Sequence, residues 1–261
     1  MLTTAIDILS GHSIGALAAT AAAVMLAGFL RGFVGFGGAI AIVLVMSAVY
    51  DPMIAIPVAS LVGVPSTFQL LPSIIRDSDR KFVVGFSLAA VATAPLGGFV
   101  LVALDPASMK IILSVFVLVM VVPLYMEWRP PAGALAGLPG VLLTGVISGA
   151  IQGSASMGGP PAVVAALARP GQPSEQRANV MGAIATLNFC AVPPFYLLGL
   201  YTPTVLVLCA VVVPLYMLAT LIGTRYFTRI GHTYFRTIAL LVLALLGVGT
   251  LVLAVIEGAT A

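Results

Sequence analysis

Charge is what this sequence lacks most. Eleven Lys and Arg face eight Asp and Glu in 261 residues, while 61% of the residues are hydrophobic and the mean hydropathy is +1.20. So few charged groups cannot cover a soluble globule of this size, which leaves an all-α polytopic membrane protein. The net charge of +3 then says little about nucleic acid, and the bilayer is the expected partner. Cysteine is nearly missing too: Cys190 and Cys209 both sit in apolar runs, as small core thiols rather than a disulfide framework. His12 and His232 fall outside the apolar cores, and the N-terminal MLTTAIDILSGHSIG has no basic n-region, so no cleavable signal peptide is expected.

The placement of the few acids excludes more. Asp7, Asp51, Asp77, Asp79, Asp105, Glu127, Glu175 and Glu257 all lie at breaks or ends, so no carboxylate proton relay of the pump type is evident. The tract GSAS offers serines, but no His or Lys in a core segment stands ready to activate one, which argues against an intramembrane hydrolase. Metal-ligand spacings, a P-loop and a dinucleotide fingerprint are all missing. No catalytic residue, metal site or cofactor is therefore expected.

What is present is apolar length. Charged or turn-rich breaks divide the chain into ten segments, roughly 13–30, 32–50, 53–75, 82–104, 109–126, 133–151, 153–168, 179–200, 204–224 and 237–256. With alternate breaks on opposite sides, Arg31, Arg76, Arg80, Lys81, Arg129, Arg169, Arg177, Arg225, Arg229 and Arg236 share one side, and Lys110 is on the other. That asymmetry makes the basic side cytoplasmic and puts both termini outside. Two crossings that dip in and return would leave the later assignments unchanged, because parity is preserved.

The chain also repeats itself. Gly28-Phe-Leu-Arg-Gly32 matches Gly145-Val-Ile-Ser-Gly149; after a small insertion, a shift of 121 pairs Gly37-Gly38 with Gly158-Gly159, Thr67-Phe68 with Asn188-Phe189, and Pro72 with Pro193. Gly97 pairs with Gly223. Two repeats follow, 1–130 and 131–261, forming one integral membrane domain. Each holds about five segments, an odd number, so the second enters from the opposite side. This predicts an inverted-topology repeat with a site near the midplane, an arrangement common among secondary transporters and open to a channel as well.

Glycine is concentrated where the second segment of each half begins, in RGFVGFGGAIAIV and QGSASMGGPPAVV. From Pro161 to Ala168 only eight residues precede Arg169, about 12 Å of helix. Either the glycine tract is itself helical and spans, or the first two segments of each half form a re-entrant hairpin, which Pro160 and Pro161 favour as helix-start residues. Irregular backbone at membrane depth must line a cavity or be buried in protein. A helix starting there aims free N–H groups and a positive dipole end at that cavity, and Gln152, Ser154 and Ser156 add neutral donors. This chemistry suits a small anion.

Gly28, Gly32, Gly145 and Gly149 read as GxxxG helix-packing pairs. For Gly35, Gly37, Gly38, Gly153, Gly158 and Gly159, with Ser154 and Ser156, the coincidence of repetition, polarity and helix-start prolines favours a binding tip over packing. Arg31 has two open readings: a turn residue snorkelling to the interface, or an anion-attracting charge in the pathway. Its repeat partner is the neutral Ser148. Thr67 and Asn188, at matched depth, either line a central site, which we favour, or bond a neighbouring helix.

GFLRGFVGFGG, GVISGAIQGSASMGGPP and the duplication across nearly the whole chain resemble the TauE/SafE sulfite exporter family of bacterial membrane permeases. The resemblance implies a multi-pass protein of the bacterial inner membrane, with periplasmic termini by the charge count, that moves sulfite, a sulfonate or another small sulfur anion, with export prominent. The expected mechanism is an oxyanion held between the two tips and released by rocking of the halves. Uptake coupled to Na⁺ or H⁺, an anion channel and a scaffold without transport are the alternatives.

Overall fold

A computed structural model describes residues 14–34, 37–126, 135, 137–227, 244–245, 247–249, 251–252 and 256. Gly35, His12, His232 and most of the tenth segment lie outside the described residues. Among the described residues the fold is all helix: α1 Ile14–Val34, α2 Gly38–Val49, α3 Pro52–Asp77, α4 Arg80–Ala103, α5 Pro106–Tyr125, α6 Leu138–Ala155, α7 Gly159–Leu167, α8 Pro173–Cys190, α9 Val192–Leu197 and α10 Pro203–Phe227. By length and composition, five stretches among them can cross a membrane: Pro52–Asp77, Arg80–Ala103, Leu138–Ala155, Ser174–Leu197 and Pro203–Tyr226. The chain is a multi-pass membrane protein.

The acids at the breaks have a local purpose. Asp51, Asp79 and Asp105 are N-caps: their carboxylates accept from the N–H groups of Met53 (2.7 Å), Lys81 (2.9 Å) and Ser108 (2.9 Å). Each satisfies backbone donors that have no partner inside the helix. Pro52 and Pro106 follow two of them at the helix start, where the missing proline N–H costs nothing.

Besides the six-residue α9, two helices are short. At about 1.5 Å per residue, the 12 residues of α2 reach about 18 Å and the 9 of α7 about 13 Å, against about 30 Å of hydrocarbon. Both are wrapped in protein: Ile40, Val43 and Met46 of α2 and Ala162, Val163 and Ala166 of α7 are buried. Uniformly apolar helices of this kind belong in an interior. The expected boundaries need correction here. The second and seventh segments do not begin at Gly32 and Gly153; α1 continues through Gly32 to Val34 and α6 through Gly153 to Ala155, so both glycines close a long helix.

Long helices pack through those glycines. A methyl on Gly145, Gly149 or Gly153 would lie 2.7, 2.3 or 1.9 Å from the carbonyl oxygens of Phe86, Ala90 and Ala94, so α6 runs parallel to α4 at backbone contact. Gly28 and Gly32 do the same to Tyr216 and Thr220 on α10, at 2.5 and 2.1 Å. Thr93 Oγ1 adds a bond of 2.9 Å to the Val146 carbonyl. In lipid, where tails are as apolar as leucine, close approach of this kind is what holds helices together. The outward faces of α4, α6 and α10 carry Leu88, Phe99, Leu143 and Leu218, all exposed.

Helices α3 and α8 are antiparallel and cross-linked. Asn188 Nδ2 donates to the Gly63 carbonyl (3.1 Å) and to Thr67 Oγ1 (3.2 Å), the Phe68 and Phe189 rings meet edge-on at 5.9 Å, and Leu70 and Ile74 pack with Met181 and Ala185. Residues paired by the repeat, Thr67 with Asn188 and Phe68 with Phe189, thus touch one another.

At the basic end, the α3–α4 and α7–α8 turns are tied together. Asp79 pairs with Arg169, its N–H donates to Asn179 Oδ1 (2.7 Å), and the Arg169 guanidinium stands 5.5 Å over the Phe82 ring. Burial disfavours the Asp79 charge, but bonds from the Phe82 N–H and Arg169 outweigh it and hold the carboxyl below its usual range. The pair is therefore ionised at neutral pH and is lost only as pH falls through that depressed value. We expect Asp79→Asn, which keeps the cap, and Arg169→Ala each to lower the Tm by about 2 °C, as a partly exposed pair worth up to about 1 kcal/mol should. In a double-mutant cycle the effects should be non-additive; full additivity would show that the two side chains do not couple.

Candidate functional site

The ends of α1 and α6 and the starts of α2 and α7 converge on a cavity of about 30 Å³ beneath α3 and α8. From the first half, Arg31, Gly37 and Gly38 line it; from the second, Gln152, Ser156, Gly159 and Asn188. The polar groups are buried: Arg31 is 2% exposed and Gln152 3%. An arginine so enclosed does not snorkel to the interface, and its side chain belongs to the cavity wall.

The two tips are built differently. In the first, Gly37 is the N-cap of α2 at φ 88°, a left-handed turn that glycine adopts without strain. The N–H groups of Gly38, Ala39 and Ile40 then have no acceptor inside the helix, the first ladder bond being Ala41 N–H to Gly37 O at 3.3 Å. All three residues line the cavity. In the second, α6 ends at Ser156, a non-glycine residue at φ 53°, whose N–H returns to the Gln152 carbonyl (2.8 Å) and whose hydroxyl donates to the Ile56 carbonyl (3.0 Å). Gly158 N–H donates to Gln152 Oε1 (3.1 Å). Pro160 and Pro161 carry no N–H, so of the first three positions of α7 only Gly159 keeps a donor to offer. The expectation that both helix starts present a row of N–H groups holds for α2 and fails for α7 because of its prolines.

Gln152 makes up part of the difference. With Oε1 held by Gly158, its amide turns the NH₂ donors elsewhere, and the side chain lines the cavity. It stands one helical turn beyond Ser148, the repeat partner of Arg31. Thus each half sends one long polar side chain to the cavity from its first helix, a cation from α1 and an amide from α6.

Other expected residues stand aside. Gly153 packs on Ala94 of α4; Ser154 is half-buried with its hydroxyl on the Ile151 carbonyl (3.3 Å); Gly158 lies against α6, where a methyl would be 2.3 Å from the Ser148 oxygen. None of the three lines the cavity. Thr67 does not line it either; it holds Asn188, while its own hydroxyl donates to the Gly63 carbonyl at 3.0 Å. Three contributors are new. Gly63 lets Asn188 lie over its backbone, a methyl there being 2.5 Å from Asn188 Oδ1. Tyr216, a buried tyrosine on α10, lines the wall beside Gly38. Arg177 donates to the Gly32 carbonyl (3.1 Å) and is close enough to Arg31 for their positive charges to act on each other. A hydroxyl in the middle of VVVPLYM was the available signal for Tyr216; Arg177 gave none, because its place in a break hid its proximity to Arg31.

Among the described residues no three His, Cys, Asp or Glu side chains gather as a metal site would require. The charge in the cavity wall is positive, from Arg31, and the other polar side chains there are neutral.

A family model described as sulfite exporter TauE/SafE matches residues 20–250. Comparisons with curated proteins and with solved structures return no match.

Proposed function

The chain belongs to the sulfite exporter TauE/SafE family, and we propose that it exports a small sulfur oxyanion, sulfite foremost, through the cavity between the two glycine-rich tips. Family membership makes it a membrane transporter of sulfur anions such as sulfite. The observation that carries the finer reading is the convergence of Arg31, the N–H donors of α2 and the Gln152 amide on one enclosed space. The space is small, about 30 Å³, which favours a compact inorganic oxyanion over a larger sulfonate.

In this reading Arg31 compensates the anion's charge, α2 supplies backbone donors and dipole, and Gln152, Ser156, Gly159 and Asn188 complete the wall, with Thr67 positioning Asn188. Gly153, Ser154 and Gly158 pack the second tip. The repeats are 1–130 and 131–261, inverted in the membrane. In support, α1–α10 and α6–α4 are parallel pairs joined by repeat-matched glycines, and Thr67–Asn188 contact is what residues beside a pseudo-twofold axis make. The short α2 and α7 are re-entrant, meeting at the midplane as half-helices do in transporters of this design. Rocking of the halves would break and remake the Asp79–Arg169 tie at the cytoplasmic face. The setting is the inner membrane, with periplasmic termini.

Export of an anion from a negative-inside cell is favoured by about 2.3 kcal/mol per charge per 100 mV, so no coupling ion is required. In liposomes holding the purified protein, labelled sulfite should leave in response to an inside-negative voltage, with no dependence on a Na⁺ or pH gradient. Strict Na⁺ or H⁺ dependence would replace uniport with coupled transport, and no flux of any small anion would remove the transport reading.

A further inference from the structure

A second concavity lies on the lipid-facing side, where α4 and α6 begin. It encloses about 720 Å³ and combines three cations, Arg80, Lys81 and Arg169, with an apolar wall of Val84, Leu88 and Leu138. The wall residues are 57, 68 and 62% exposed, so the surface is open and contiguous with the outward face of α4. Spacing orders the chemistry along that helix: Arg80 and Lys81 at its start, Val84 one turn in and Leu88 a second turn in, all on one face. The cations therefore stand at one end of an apolar strip that runs toward the membrane interior.

Among the described residues, acids offset one of these three charges, that of Arg169. Asp79 caps α4 and pairs with Arg169, and Asp77 pairs with Arg76 at 2.8 Å. Among the described residues the side chains of Arg80 and Lys81 make no ion pair. Gly137, the N-cap of α6, has no side-chain cap bond, and Leu138 at that helix start lines the groove.

We propose that this groove is a binding site for an anionic phospholipid, its phosphate between Arg80 and Lys81 and one acyl chain along Val84 and Leu88. A soluble anion would use the cations and ignore the wall; a zwitterionic lipid would use the wall and gain little from the cations. Only an anionic lipid matches both, and a basic pocket between transmembrane helices at the cytoplasmic level is where such headgroups dock. The site is separate from the central cavity, and its occupant would hold α4 to α6, whose far end carries the second tip.

Native mass spectrometry of the full chain, delipidated in detergent and titrated with dioleoyl phosphatidylglycerol or dioleoyl phosphatidylcholine, tests this. Phosphatidylglycerol should bind at least 10-fold more tightly. Arg80→Gln and Lys81→Gln should each weaken it about 5-fold, equivalent to about 1 kcal/mol per charge, and leave phosphatidylcholine unchanged. Both positions are exposed helix starts, so the single variants are expected to fold, and an unchanged Tm in phosphatidylcholine checks that. Equal affinity for the two lipids, or phosphatidylglycerol affinity untouched in both variants, overturns the proposal. So does competition by inorganic phosphate at equal concentration, which would make this a free-anion site.

Discussion

Replacing Arg31 by glutamine is expected to lower sulfite flux at subsaturating substrate by about 10- to 150-fold. The magnitude follows from the place of the charge. Hydrogen bonds to ionised partners contribute about 1.5–3 kcal/mol net, and Arg31 is the one cation that lines the cavity among the described residues. Gln152 sits opposite with only neutral donors, and Arg177 is turned to the Gly32 carbonyl. Glutamine preserves a donor and removes the charge, so the loss reports electrostatics rather than shape. Arg31→Lys should recover part of the flux, because an ammonium restores the charge without the planar fork that grips two oxygens at once. The measurement is initial efflux from liposomes at several sulfite concentrations, beside the melting temperature of each variant. Wild-type flux in a folded Arg31→Gln protein would take this residue out of the pathway.

Much of this arrangement was legible in the sequence, for identifiable reasons. The match of Thr67 with Asn188 rests on numbering alone, yet the two side chains bond at 3.2 Å, as counterparts beside the proposed twofold axis would. The GxxxG pairs read as packing devices and are: only hydrogen fits where the Phe86, Ala90, Tyr216 and Thr220 carbonyls press in. The insertion between the two offsets, 117 for Gly28 with Gly145 and 121 for Gly37 with Gly158, is four residues, about one helical turn. It adds a turn to α6 beyond its matched glycines, Gly149 to Ala155 against Gly32 to Val34 in α1, and Gln152 stands in that added turn.

The errors are equally specific. Glycine marks the break in the sequence pattern, which places the start of the seventh segment at Gly153. The chain actually turns at Ser156, a residue type that seldom adopts a left-handed conformation and so gives no composition signal. Gly153 and Ser154 were left on the side of α6 that faces α4. The double proline does start a helix, but it also removes two backbone donors from that tip. The less polar first tip has the richer set of N–H groups. Burial of Arg31 and its approach by Arg177 are tertiary facts that no local pattern encodes.

Gly159→Leu is the sharpest test of the second tip, and it should abolish sulfite flux in a protein that still folds. A methyl at this position would meet Ile184 Cδ1 at 3.1 Å, the free end of a flexible side chain that can give way. Gly159→Ala should therefore fold and keep a measurable share of transport. Leucine adds three further carbons, more than a 30 Å³ cavity can accept alongside an ion, and they project from a residue that lines it. The equivalent change in the first tip is less informative: a methyl on Gly38 would lie 2.6 Å from the Tyr216 hydroxyl and 2.7 Å from the Ala27 carbonyl, so it would strain the backbone before it blocked anything. Size-exclusion behaviour and Tm should separate the two cases, with Gly159→Leu monodisperse and silent. A monodisperse Gly159→Leu protein with wild-type flux would mean that the anion passes elsewhere and that this tip serves packing alone.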